Sequence, residues 1–379
     1  MRKLMTFPSA AAIAAVFLST LTAAAATPNG QPPATLAGGL VAPLHVSAGH
    51  DKTVTVSEEF AGRLTRIDAH GTKSVLYSNP AWDVAGNAQR GSTTYFLESQ
   101  GAGPEDQRPL AGHVHTIDGD GRQRTYGDFA ALEAGHNADG EVHYGFRNLP
   151  NGCAALLPPE MPAAYNGEVD SHPYGITVSG HTLYVADAGA NSVVSVDIES
   201  GKTRTVAVLP PRPFTITAEA AAANHLPACV VGRSYDFEPV PTDVGVGPDG
   251  WLYVTSLPGG PEDPSFGARG AVFKVDPDNG HVKVFADKIL SPTGLAVDND
   301  GDVFVASLFG MGVLKIDGDS GRQSTLLSAG LTADVALQGS TLYATVNALP
   351  PEGPSTTPPN GQVAVLSLKH ASQNSASGT

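Results

Sequence analysis

The stretch Pro173-Tyr-Gly-Ile-Thr-Val-Ser-Gly-His-Thr-Leu-Tyr-Val-Ala186 decides how the chain folds. It sets one apolar strand, a Gly-containing turn and a second strand ending in Tyr-Val. Pro241-Thr-Asp-Val-Gly-Val-Gly-Pro-Asp-Gly-Trp-Leu-Tyr-Val-Thr255 repeats the phrase, as does Pro292-Thr-Gly-Leu-Ala-Val-Asp-Asn-Asp-Gly-Asp-Val-Phe-Val-Ala306. Thr332 to Thr345 is a further copy, and weaker copies start at Pro43 and Ala81, six in all. Runs such as Leu-Tyr-Val-Ala are apolar on both faces, as expected of a strand sandwiched between two neighbouring sheets.

A second phrase follows the first five copies: a short strand ending in Asp68, Asp118, Asp197, Asp276 or Asp317, then a turn such as Asp276-Pro-Asp-Asn-Gly280. Asp, Asn, Pro and Gly suit tight hairpins, because Gly adopts positive φ and Asx side chains bond their own backbone. A fourth strand comes next, so each unit is a four-stranded antiparallel meander of about forty residues, the size of a propeller blade. No helical period lies between the strands, which excludes an α/β alternative. The spacing predicts an all-β, six-bladed β-propeller over residues 33–369 with short helical insertions on one face. The last unit lacks its fourth strand, while Ala34 to Pro43 resembles Val284 to Pro292, a fourth strand leading into the next unit. Residues 33–38 are therefore expected to pair with the sixth blade and close the ring, which removes edges open to aggregation.

Residues 1–26 read as a Sec-type signal peptide, with Arg2 and Lys3 ahead of an apolar run from Ala10 to Leu21 and small residues at Ala24 to Ala26. Residues 370–379 read as a disordered polar tail. A secreted or periplasmic monomer is expected. Its 22 basic residues, two of them in the leader, stand against 37 acidic ones. Such a charge repels phosphate backbones and anionic lipid, which argues against nucleic-acid and membrane partners. Cys153 and Cys229 form an even pair, a candidate disulfide in an oxidising compartment.

In a propeller the first-to-second and third-to-fourth strand turns share one face, and the remaining connections share the other. Gln100 to Ala111, Tyr126 to Ser171, Arg212 to Val240, Pro258 to Arg269 and Ala348 to Asn360 all fall on that other face. Loops carried on a rigid scaffold are where function concentrates, so this face is the expected contact surface for a small molecule or a protein. Two insertions carry helix signals, Phe129 to Ala134 capped by Asp128 and ended by Gly135, and Ala218 to Asn224 capped by Thr217. Cys153 and Cys229 lie in different insertions, so their bond would staple the two together.

The third residue of each repeat should lie near the axis at this face: His45, Asp83, Gly175, Asp243, Gly294 and Asp334. The aspartates alternate, and loops in the same units repeat Gly-Pro-Glu-Asp at Gly103 to Asp106 and Gly260 to Asp263, with Pro351-Glu352 in the third. Asp83, Asp243 and Asp334 would hold Ca²⁺, which takes several hard oxygen ligands, or would simply bond backbone amides. Glu58, Glu98, Asp187, Glu168, Asp170 and His172 are further candidates near that face. Gly245 to Gly250 fits a dinucleotide fingerprint, but a strand follows where a helix is required. No catalytic motif is present.

Glu168-Val-Asp-Ser-His-Pro-Tyr-Gly175, Tyr184-Val-Ala-Asp-Ala-Gly-Ala-Asn191 and Pro241 to Gly250 resemble the ScyD/ScyE family, exported propellers related to NHL-repeat proteins. The resemblance implies a secreted or periplasmic propeller and no established catalytic residues. Neighbouring calcium-dependent lactonases use a Glu, an Asn and an Asp at the channel mouth, a set without a clear equivalent here. The expected function is a binding module outside the cytoplasm; the alternative is a Ca²⁺-dependent hydrolase or lactonase at the channel mouth.

Overall fold

The computed structural model describes residues 26–27, 32–103, 106–261, 264–310, 312–351 and 357–368. Apart from Ala26, which makes one bridge to Ser328, the expected leader lies outside the described residues, as do the polar tail and parts of the Gly-Pro-Glu-Asp loops.

The chain opens with β1 (Ala34–Leu40). A first sheet follows from β2 (Pro43–Ala48), β3 (Val54–Glu58), β4 (Arg63–Ile67) and β5 (Lys73–Ser78). The second comprises β6 (Asp83–Arg90), β7 (Thr93–Gln100), β8 (Ala111–Ile117) and β9 (Gln123–Tyr126). The first insertion contributes α1 (Phe129–His136), β10 (His143–Phe146) and β11 (Ala164–Asn166). The third sheet is β12 (Pro173–Ser179), β13 (Thr182–Asp187), β14 (Ser192–Asp197) and β15 (Thr203–Val208). The second insertion contributes β16 (Arg212–Thr215), α2 (Ala218–Ala223) and β17 (Ser234–Phe237). The fourth sheet is β18 (Pro241–Val246), β19 (Leu252–Ser256), β20 (Gly270–Val275) and β21 (Val282–Ile289). The fifth is β22 (Pro292–Val297), β23 (Val303–Ser307), β24 (Gly312–Ile316) and β25 (Gln323–Leu327). The sixth combines β26 (Val335–Gln338), β27 (Thr341–Val346) and β28 (Gly361–Ser367) with β1 from the other end of the chain.

Where the repeats predict six sheets, the described residues form seven, each four-stranded and antiparallel. The additional sheet, in the order β11-β10-β17-β16, is built wholly from the two insertions and joined at its centre by β10 against β17. It has its own apolar core, including Phe146, Met161, Ile216, Val230, Phe237 and Phe266. Cys153 and Cys229 are bonded across it with their Cα atoms 6.1 Å apart.

Among the other sheets the first strands β2, β6, β12, β18, β22 and β26 each pack on the next, and β26 packs back on β2. A buried apolar layer fills each junction, from Leu64 and Phe96 between the first and second sheets to Leu40, Val54 and Val363 between the sixth and first. This is the architecture of a β-propeller. The expected closing strand pairs as Ala34 with Val365 and Leu40 with Gly361.

The turns form as their side chains dictate. Asp68, Asp118, Asp276 and Asp317 each accept a backbone N–H from two or three residues on. Asp128 and Thr217 cap α1 and α2. Gly135 lies inside α1; Asn137, at φ 37°, takes the left-handed position that ends it.

Leu40 is 1 % exposed in the layer that shuts the ring. Leu40→Ala is expected to lower the unfolding free energy by about 2–5 kcal/mol, measured by urea denaturation. The Cys153→Ser, Cys229→Ser pair is expected to cost about 2–4 kcal/mol, and hydrogen exchange should show the insertion sheet opening first.

Candidate axial site

Strand pairing sets the level of each residue on the inner wall. His45 lies opposite Ser57, Gly175 opposite Ala186, Asp243 opposite Thr255 and Gly294 opposite Ala306. Thr345 N–H donates to Asp334 O, and Asp334 N–H donates to Thr345 Oγ1 at 2.9 Å, which sets Asp334 at the same level. The second sheet departs from the sequence alignment. Asp83 pairs with Ser99 and Val84 with Glu98, then Asn87 with Phe96, so Ala85 and Gly86 together face Leu97. This bulge moves Asp83 toward the mouth and puts Gly86 where the repeat places an aspartate. The expected threefold set is thereby reduced to Asp243 and Asp334.

Those two aspartates clasp neighbouring sheets. Asp243 accepts Val244 N–H at 2.8 Å and, across the junction, Leu295 N–H at 2.8 Å. Asp334 accepts Val335 N–H and, across the closing junction, Val46 N–H, both at 2.7 Å. The glycines make room: a Cβ on Gly175 would stand 2.7 Å from Asp243 Oδ1. Burial raises the Asp243 carboxyl to about 7 and pushes Asp334 well up, with Asp243 nearby adding to the shift. Asp83 is out of register with the other two, and each carboxylate oxygen of Asp243 and Asp334 accepts one backbone amide. Among the described residues no three His, Cys, Asp or Glu side chains are arranged to hold a metal ion.

A second group, partly missed in the sequence, converges beside them. His45 Nε2 stands 3.6 Å from Glu59 Oε2, His45 Nδ1 stands 4.0 Å from Asp334 Oδ2, and the His45 ring meets Tyr174 edge-on at 4.5 Å. His172 also meets Tyr174 edge-on, at 5.5 Å. His45 Nε2 and Glu59 Oε2 are buried and have no hydrogen-bond partner. Burial, helped by His172, holds the His45 imidazole neutral, at about 3. Burial and the Asp83 charge push Glu59 well above the carboxylate range. A neutral imidazole and a carboxyl biased by burial toward its neutral form lie beside aromatic edges, where both offer hydrogen bonds. Glu59 was hidden by its neighbour Glu58, and Tyr174 by the strand phrase that contains it.

The remaining sequence candidates tether loops. Glu58 accepts Arg63 Nη2 and Val41 N–H, both at 2.7 Å, and Arg63 and Thr65 hold its carboxyl down despite burial. Glu98 accepts Tyr77 and Asn79 and pairs with His115 at 3.0 Å. Asp187 accepts Ser171 Oγ and His172 N–H at 2.7 Å each, and burial raises it to about 6. Asp170 accepts Gly103 N–H at 3.2 Å, tying the long loop of the second sheet to the first insertion. Glu168 is exposed.

No protein-family model and no curated protein matches the sequence. Among solved structures, a Xanthomonas campestris gluconolactonase is similar at 15 % identity and TM-score 0.52, over 97 % of this chain and 95 % of that one. A putative oxidoreductase (glucose dehydrogenase) of Thermus thermophilus is also 15 % identical with TM-score 0.52, over 88 % and 99 %. A Bacteroides thetaiotaomicron protein of unknown function is 11 % identical with TM-score 0.54, over 88 % and 75 %. At these identities the likeness is one of fold.

The raised carboxyls set a pH dependence. Asp243 and Glu238 sit at about 7, both lifted first by burial. Each contributes stability while protonated, fully present below its ordinary value of about 4 and lost as pH rises through the folded value. His45, lowered by burial, acts oppositely, but only below its ordinary 6.5. Melting temperature should therefore fall between pH about 6.5 and 8. Asp243→Asn should lower it throughout while flattening that slope, as measured by calorimetry.

Proposed function

We propose that this chain is an exported, ScyD/ScyE-like propeller of six blades, the insertion sheet being an appendage outside the ring. It works outside the cytoplasm as a monomeric binding module for a small molecule or protein segment on the face that carries its long loops. The observation that carries this reading is the pairing of His45 Nε2 and Glu59 Oε2, buried hydrogen-bonding atoms without partners, at the same end as the insertions. Leaving such atoms unpaired costs about 1–3 kcal/mol each, a penalty that a hydrogen-bonding ligand offsets.

A hydrolase or lactonase is the second reading. It is favoured by the geometry of His45 beside the Glu59 carboxyl at 3.6 Å, two residue types that serve as general acids and bases. The metal-dependent form of it has no support from Asp83, Asp243 and Asp334. The two readings separate on one assay. The secreted chain, purified from medium or periplasm, is offered neutral saccharides, lactones and aryl esters, with binding followed by calorimetry and turnover by product release. The binding reading expects saturable binding without turnover, weakened at least about tenfold by His45→Ala or Glu59→Gln, as loss of hydrogen bonds in a buried site implies. Turnover that disappears in His45→Ala would establish the enzyme instead.

A further inference from the structure

We infer that Glu133, Asn137 and Asp139 form a Ca²⁺ site where the end of α1 meets the third sheet, made of residues other than His45 and Glu59. Three oxygens from this short segment, Glu133 Oε1, Asn137 Oδ1 and Asp139 Oδ1, are buried without a hydrogen-bond partner. Glu133 is 3 % exposed and Asp139 1 %. Each side chain is anchored through its other terminal atom. Glu133 Oε2 accepts Ala138 N–H at 3.4 Å, and Asn137 Nδ2 donates to Gly167 O at 3.1 Å. Asp139 Oδ2 accepts Tyr144 OH and Asn191 Nδ2, both at 2.9 Å. The held atom fixes the side chain and leaves the second oxygen to offer.

The surroundings favour a cation. Glu133 feels the charges of Asp187, Asp139 and Asp170. Among the described residues no ion pair joins Glu133 or Asp139 to a Lys, Arg or His. Buried carboxylates with no countercharge either take up protons or bind a cation. Two carboxylates and a neutral amide oxygen are hard donors that suit Ca²⁺, which tolerates irregular coordination; Mg²⁺ demands near-octahedral geometry, and Zn²⁺ favours nitrogen and sulfur. Gly167 keeps the place open, because a Cβ there would run into the Asp139 carboxylate.

The bound ion would brace the first insertion. Asp139 is linked through Asn191 to Glu238 at 3.0 Å and to Val240 N–H at 3.0 Å, so the same network reaches the second insertion and the start of the fourth sheet.

The test uses the full secreted chain, stripped with EDTA and dialysed. Tb³⁺ is added with excitation at tyrosine, since Tyr144 touches the proposed ligand Asp139, and Ca²⁺ is then titrated as competitor. The expected result is uptake of about one Tb³⁺ per chain, displaced by Ca²⁺, and a melting temperature that rises with Ca²⁺. Glu133→Gln and Asp139→Asn should weaken Ca²⁺ binding at least about tenfold by removing a charged ligand. Asn137→Gly should weaken it too while preserving the left-handed backbone, which keeps the test decisive if a carboxylate variant fails to fold. Asp243→Asn should bind as wild type. No uptake by the wild type, meaning a buried water or shared proton only, overturns the proposal. So does uptake unchanged in both Asn137→Gly and Glu133→Gln, or lost in Asp243→Asn instead.

Discussion

The pairing of Ala34–Leu40 with Gly361–Ser367 is the contact on which the other layers depend. Each ring sheet hides its apolar faces only against its neighbours, so a ring left open exposes two faces and two unpaired edges at once. Closing it with a strand from the opposite chain end makes the last junction contribute to every other one. The same closure assembles the axial site. His45 and Val46 belong to the first sheet and Asp334 to the sixth, and the Asp334 carboxylate reaches both the Val46 amide and the edge of the His45 ring. The place where the chain shuts thus also holds two unpaired buried polar atoms, His45 Nε2 and Glu59 Oε2.

The long connections obey a similar economy. The two largest insertions flank the third sheet in the chain, and their apolar side chains merge into a single core. They are joined by β10 and β17, the Cys153–Cys229 bond and Arg269 stacked 4.4 Å from Phe237. Covering the ring in this way also buries carboxylates. Glu133, Asp139, Asp187 and Glu238 lie beneath or beside the added sheet, and burial raises all of them. Buried carboxyls raised by desolvation thus lie beside the insertion sheet as well as at the axis.

The ring was legible because its signals are local and repeated. The strand phrases, the Asx turns and the displaced fourth strand each recur within a unit, and the disulfide follows from two cysteines in flanking insertions. The insertion sheet was not legible. Its strands are short, and its central pair joins Gly145 to Asp236, partners far apart in the chain with no repeat to betray them. Asp83 misled for a related reason: the bulge at Ala85 and Gly86 changes register inside a strand whose composition looks ordinary. A Gly where two other sheets also carry Gly175 and Gly294 was the available sign.

Aspartate illustrates what separates a plausible site residue from a structural one. Asp68 and Asp317 fold hairpins onto themselves, Asp243 and Asp334 bind sheet to sheet, and Asp187 fastens the segment that leads into the third sheet. By residue type all are candidate ligands, and position near the axis does not distinguish them. The deciding quantity is where each oxygen already spends its hydrogen bonds. A carboxylate satisfied by backbone amides has little left to offer, whereas an atom buried without a partner keeps its full demand. Applied to the axis, that criterion moves attention from the conspicuous aspartates to His45 and Glu59.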